Sequence, residues 1–274
     1  MKHLYVAFAL LLALVPGRVH AAMTGWTEVH GGAVRLIASG PMQDGQYLTG
    51  LEFLLEPGWH TYWRYPGEAG IPPQITTEAS SNVKELDVLY PVPERYSDGF
   101  SQSIVYHDGI VLPVRVVPED PERPVSLHVE VFFGICKDIC VPGDAALSLD
   151  LSPQAATDAL AGRLIQRDLE RVPSGAAPDD LRISSVSLDE AGDMLVIEAR
   201  TGDASDPDLF AEAPAGSFIA LPQPVSRSAD KTVWTLSTKG LATNGADDNT
   251  LRLVLTAGGK AIEHLEPIQS GWVD

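Results

Sequence analysis

The chain of 274 residues carries 45% hydrophobic and 20% charged side chains, the balance of a folded protein rather than of a disordered or collagen-like one. Its 19 basic residues face 37 acidic ones, a formal net charge of −18, which argues against a basic face for nucleic acid or anionic lipid. Two cysteines are too few for a disulfide-stapled miniprotein or a cysteine-only zinc site.

Lys2, the apolar run from Leu4 to Val15 and the small residues Ala21 and Ala22 form the three-part pattern of a secretory signal, residues 1–21. The run is too short to span a bilayer, and no later apolar stretch is long enough either. Removing it takes away Lys2 and Arg18 and no acid, so the exported chain is more acidic still. The expected location is the periplasm, without membrane insertion and where disulfides form.

From Trp26 to about Ser152 the chain reads as strands. Val125, Leu127, Val129, Val131 and Phe133 alternate with Ser126, His128 and Glu130, the period of a half-buried strand. Shorter runs fall at 33–38, 46–55, 110–117 and 146–151, punctuated by Pro57-Gly58, Pro66-Gly67, Pro72-Pro73 and Pro142-Gly143. This predicts an antiparallel sandwich. Pro113 places the 110–117 run at an edge or a bulge. Trp59, Tyr62 and Trp63 are expected to fill the core.

Ser152-Pro153 predicts a helix start, and Ala156, Leu160, Leu164, Ile165 and Leu169 supply an apolar stripe. Pro173-Ser174-Gly175 stops it, giving a helix and linker over 153–180. Strand runs at 183–188, 194–200, 218–221, 232–237, 250–256 and 261–266 then predict a second, smaller β domain over 181–274, with Trp234 in its core.

Cys136 and Cys140 follow the strongest strand, four residues apart, with Gly134 and Pro142 favouring a turn that brings them into disulfide range. Such a small loop restricts the unfolded chain by only about 2 kcal/mol, against about 4.7 kcal/mol for a hundred-residue loop. That favours a reactive pair over a structural staple. Exchange needs access and a polarised sulfur; Lys137 supplies positive charge and Asp138 opposes it. Two thiolates also suit Cu(I), with His60 and His107 as candidate partners, so a metal reading stays open.

Four ordered motifs resemble a known family. They are Pro57-Gly58-Trp59-His60-Thr61-Tyr62-Trp63-Arg64 with Pro66 to Pro73, Tyr90-Pro91-Val92-Pro93-Glu94-Arg95-Tyr96, Tyr106-His107-Asp108-Gly109 with Val111 to Val114, and Gly134 to Pro142. Together they are similar to the amino-terminal periplasmic domain of DsbD/ScsB-type thiol:disulfide interchange proteins. The ScsB-like branch, linked to copper tolerance, fits better, because the classical domain spaces its cysteines wider. The resemblance implies an immunoglobulin-like sandwich over residues 24–152, with the pair at one end and no bound cofactor or metal. It also implies that Cys140 forms the mixed disulfide and Cys136 resolves it, beneath a cap loop at 94–100 where Tyr96 or Phe100 supplies a shielding ring.

The resemblance further implies electron relay between a membrane reductase and thioredoxin-like periplasmic proteins or other disulfide substrates, as a protein-disulfide reductase component. Full-length relatives carry a membrane conduit and a thioredoxin-like domain, whereas this sequence shows no spanning segment and no further Cys-x-x-Cys. The expectation is a stand-alone domain serving a separately encoded reductase. The alternative is a non-catalytic copper-binding or adaptor module.

Overall fold

The structure is a computed structural model that describes residues 22–243 and 249–273; the segment 1–21, read above as a secretory signal, lies outside them. Two antiparallel β-sandwiches follow one another in the chain. The first comprises β1 (Thr27–Val29), β2 (Gly32–Ala38), β3 (Tyr47–Leu55), β4 (His60–Gly67), β5 (Gln74–Thr76), β6 (Val83–Val88), β7 (Glu94–Ser97), β8 (Gln102–His107), β9 (Ile110–Pro118), β10 (Val125–Cys136) and β11 (Cys140–Leu151). One of its sheets has the order β1-β2-β3-β9-β6, the other β11-β10-β4-β8-β7, with β5 paired to β10.

After α1 (Ala159–Leu169) come β12 (Arg182–Leu188), β13 (Met194–Arg200), β14 (Asp208–Glu212), β15 (Gln223–Ser228), β16 (Lys231–Ser237), β17 (Thr250–Ala257) and β18 (Lys260–Pro267). They form sheets β12-β13-β16-β15 and β14-β17-β18. Trp234 is fully buried there, as expected, and Trp272 is buried with it. The fold is the all-β sandwich architecture that the alternation predicted, in the immunoglobulin-like form that the resemblance implied.

The period-two pattern of β10 is realised directly. Val125, Leu127, Val129, Val131, Phe133 and Ile135 are buried between the sheets, and Phe133 meets Phe53 of β3 edge to face at 5.1 Å. Residues 126, 128, 130, 132, 134 and 136 point to the outer face. Cys136 belongs to that outer row.

Three local expectations are corrected. β9 is an interior strand between β3 and β6, despite Pro113. The pairing of β9 with β6 stops at Val114–Val88, and the Pro113 carbonyl accepts from the Leu89 amide at 2.8 Å. A residue's N–H and C=O point to the same neighbour in an antiparallel ladder, so the missing N–H falls beyond the end of β6.

The helix begins six residues after Pro153, not there. Asp158 Oδ1 accepts from the Leu160 and Ala161 amides at 2.9 Å and is the true N-cap, whereas Ser152 closes a separate turn onto Gln154 and Ala155. Finally, residues 218–221 are irregular. The Tyr65 hydroxyl donates to the Ile219 carbonyl and accepts from its amide, both at 2.7 Å, so a side chain takes the place of a ladder. The strand that the pattern misses beside it, β15, is exposed along its whole length and has no apolar alternation to read.

α1 packs Ala161 and Ile165 on Ile37 of β2 and Val111 of β9, which ties the connection to the first sandwich. Asp168, fully buried, accepts from the Val111 amide at 2.8 Å and pairs with Arg167 and Arg171. Replacing it strands the buried Val111 amide, while Arg167 and Arg171, about half exposed, stay hydrated. Asp168→Ala is expected to lower the unfolding free energy by about 2 kcal/mol, measurable by denaturant titration.

Candidate functional site at the tip of β10 and β11

Strand register assembles the site. β10 and β11 form a hairpin whose last pair is Cys136 opposite Cys140. On the other side of β10, Cys136 stands opposite His60 of β4, and His60 stands opposite His107 of β8. Directly opposed residues share a face. Cys140, Cys136, His60 and His107 therefore form one row across four strands, on the outer face. The next row holds Tyr62 beside Val105 of β8 and Glu94 of β7.

The two sulfurs are joined in a disulfide, with Cα atoms 4.1 Å apart. Their environments differ. Cys136 is 2% exposed although it sits on the outward face, and Cys140 is exposed. Tyr62, Val105 and Cys136 form a small cluster of their own, with Tyr96 of β7 packed against it. The Tyr62 hydroxyl donates to Cys136 Sγ at 2.9 Å and lies 3.2 Å from Cys140 Sγ. Burial, with Asp98 and Tyr96 adding to it, pushes this phenol up to about 12, so it keeps its proton at neutral pH.

Room for the Tyr62 ring comes from two glycines. A Cβ on Gly70, where φ is +133°, would lie 2.2 Å from the ring, and one on Gly134 would meet Ile71 at 2.9 Å and the ring at 3.3 Å. The Gly134 amide donates to the Ile71 carbonyl and its own carbonyl accepts from Thr61 Oγ1, which fixes the 70–71 segment over the ring.

His60, 3% exposed, packs between Tyr62, Tyr96 and His107, with ring centroids at 5.4, 4.6 and 5.7 Å. Burial, then the neighbouring His107, lowers its pKa to about 4, against a smaller upward pull from Asp98. His107 Nδ1 lies 3.2 Å from Glu94 Oε2. Among the described residues no group of three or more His, Cys, Asp or Glu is arranged to hold a metal ion.

Of the residues singled out from sequence, Cys136, Cys140 and Tyr96 are brought together. Phe100 is not part of the cluster: it stands at the tip of the β7–β8 hairpin, 98% exposed, where Asp98 Oδ1 accepts from the Phe100 and Ser101 amides at 2.8 Å. Lys137 Nζ donates to the Pro57 carbonyl at 3.4 Å. Trp59 and Trp63 do fill the core, but Tyr62 serves the cysteines instead. Strand parity separates Tyr62 from its neighbours and would have found it, had the pairing of β4 with β10 been known.

Residues 33–152 match the family model of the thiol:disulfide interchange protein DsbD, N-terminal. The matched span falls within the first sandwich. Among curated proteins no match is found. The crystal structure of the N-terminal periplasmic domain of ScsB from Proteus mirabilis superposes with a TM-score of 0.68 at 24% identity, covering 90% of this chain and 99% of that one. It shares the fold across both sandwiches. A marsupial T cell receptor aligns over 89% of this chain at 10% identity with a TM-score of 0.23, too distant to bear on the argument. No helix among the described residues is long and apolar enough to cross a membrane.

The low pKa of His60 has a pH consequence. Between about 6.5 and about 4 the unfolded chain takes up a proton on His60 that the folded chain does not, so stability falls as the pH drops through this window. The denaturation midpoint of the wild type is expected to decline across it, and His60→Gln is expected to flatten that part of the profile.

Proposed function

We propose that the protein is a periplasmic thiol:disulfide interchange protein, relaying electrons through Cys136 and Cys140 between a membrane reductase and periplasmic disulfide substrates. The observation that carries this reading is the asymmetry of the pair: one sulfur open to solvent, its partner buried beneath a proton-bearing tyrosine. A staple needs no such difference. The family match over residues 33–152 supports it. In this reading residues 24–152 are the redox domain, residues 153–180 the connection and residues 181–274 an accessory domain, with the signal at 1–21 supplying export.

The exchange follows from the geometry. A thiolate of the reduced partner attacks Cys140 Sγ; the Cys136–Cys140 bond breaks, and its electron pair leaves on Cys136 Sγ. Tyr62 donates to that sulfur, offsetting the cost of a thiolate at a buried position. The partner's second thiol then attacks the mixed disulfide, releasing Cys140, so two electrons and two protons have moved and the partner is oxidised. In the second half, the Cys140 thiolate attacks a substrate disulfide, and the Cys136 thiolate resolves the mixed bond and restores the pair. Tyr96 is the shielding ring of this site, on the strength of its packing against the Tyr62–Val105–Cys136 cluster. The partners consistent with this chemistry are the periplasmic domain of a membrane reductase and thioredoxin-like proteins.

Mixing the protein with the reduced periplasmic domain of a candidate reductase tests the reading. Thiols are expected to appear at both cysteines of the wild type; against the oxidised, disulfide-bearing form of the same partner, Cys136→Ala is expected to accumulate a mixed disulfide through Cys140, and Cys140→Ala to exchange nothing while remaining folded. Absence of transfer to the wild type, or a pair that reduces only below about −300 mV, would mark a structural bond. Tyr62→Phe removes a hydrogen bond to the departing sulfur and is expected to slow exchange by about tenfold, read by stopped-flow thiol detection.

A further inference from the structure

β7 carries the shield, and it faces two ways. Residues adjacent along a strand point to opposite faces, so Tyr96 turns to the cysteine cluster while Arg95 turns to the second sandwich. There the Arg95 guanidinium is held through Nε and Nη2. Its Nε donates to Asp208 Oδ1 at 2.9 Å and Oδ2 at 2.8 Å, and its Nη2 donates to the carbonyls of Leu209 and Pro222 at 2.8 and 2.9 Å. It also lies over the Phe210 ring, 5.6 Å from the centroid. Asp208, Leu209 and Phe210 belong to β14, an edge of the second sandwich, and Pro222 precedes β15.

The rest of the hairpin is held more lightly. β7 is four residues long, pairs only with β8, and ends in the exposed turn at Asp98–Ser101. A strand this short at a sheet edge opens easily unless something fastens it. The strongest charged contact on it comes from a different sandwich.

We propose that Arg95 is a positioning residue through which the second sandwich fastens Tyr96 over Cys136 and so confines thiol chemistry to Cys140. The purpose assigned to the fastening rests on the interchange reading; the fastening itself does not. With Arg95 bound, an attacking group reaches Cys140 and is kept from Cys136, the sulfur that must leave and later resolve. This gives the second sandwich a task at a site to which it contributes no atom in direct contact with sulfur.

The test uses the full chain with Cys140→Ala, which leaves Cys136 as the single thiol beneath Tyr62 and Tyr96. Its alkylation by iodoacetamide reports opening of the shield. Adding Arg95→Ala is expected to raise the alkylation rate by about tenfold or more, since several hydrogen bonds to a charged group are lost, while the unfolding midpoint keeps the second sandwich folded. Tyr96→Ala is expected to raise the rate at least as much. The double variant should be no faster than Tyr96→Ala alone, because Arg95 acts through Tyr96.

A wild-type rate in Arg95→Ala overturns the proposal, as does a double variant whose rate is the product of the two single effects. If Arg95→Ala does not fold, Asp208→Asn decides: it weakens the ion pair and leaves the carbonyl bonds, so faster alkylation supports the fastening and an unchanged rate refutes it. The assay needs no redox partner. A fastening that passes here alongside failed transfer from a reductase would discard the interchange reading and keep the fastening.

Discussion

The pairing of Cys136 with Cys140 as the final rung of a long antiparallel hairpin governs everything else at the site. β10 and β11 are in register over twelve pairs, from Val125–Leu151 to Cys136–Cys140, and the buried alternation of β10 pins that register to the core. A slip by one residue would send Cys136 into the space between the sheets and Ile135 to the outside. Because the register is fixed, so is the row that continues through His60 to His107, and with it the place of Tyr62 one rung along. The chemistry is thus set by a pattern of apolar residues far from the sulfurs.

The outer face of an antiparallel sheet is ordinarily solvated. Here a patch of it is sealed locally, by Tyr62 slotted against Gly70 and Gly134 and by Tyr96 from the neighbouring hairpin. Sealing works against charge. It holds His60 neutral and keeps Tyr62 protonated. Lys137, the nearest cation in sequence, donates to the Pro57 carbonyl. The polarity offered to Cys136 is the Tyr62 hydroxyl dipole at 2.9 Å, while Cys140, 3.2 Å from the same hydroxyl, is open to solvent. A buried leaving group assisted by one donor and an open electrophilic sulfur are complementary halves of one exchange.

Much of this was readable in the residues, and the failures have physical causes. The alternation from Val125 to Phe133 announces β10, and the cysteine spacing announces a reactive loop. The burial of Cys136 is invisible, since its parity puts it with Ser126, His128 and Glu130 on the polar side. Tyr62 reads as one more core aromatic because β4 is covered on both faces, leaving no alternation to distinguish it from Trp63. Pro113 misleads for the opposite reason: a general rule about ladders holds, but β6 ends at Val88, just before its strand would need an N–H from Pro113. Tyr96 and Phe100, four residues apart on one hairpin, become distinct only when strand pairing separates residue 96 from the turn at 98–101.

The second sandwich is bound to the first by more than a tether. The buried apolar core runs continuously from one into the other, with Trp63 beside Phe210 at 6.2 Å and Tyr65 bonded to Ile219. Arg64 stands between Glu212 and Glu263, while Ser174 of the connection bonds to Ala261 and Glu263 of β18. An interface that is both apolar and charge-matched resists the relative motion normally expected of neighbouring domains. Strand β4 lies at its centre, carrying Tyr62 at one end and Trp63, Arg64 and Tyr65 toward the second sandwich. The support of the sulfur-facing tyrosine and the seam between sandwiches are thus consecutive residues of one strand. Mechanical coupling between them needs no longer path than a peptide bond.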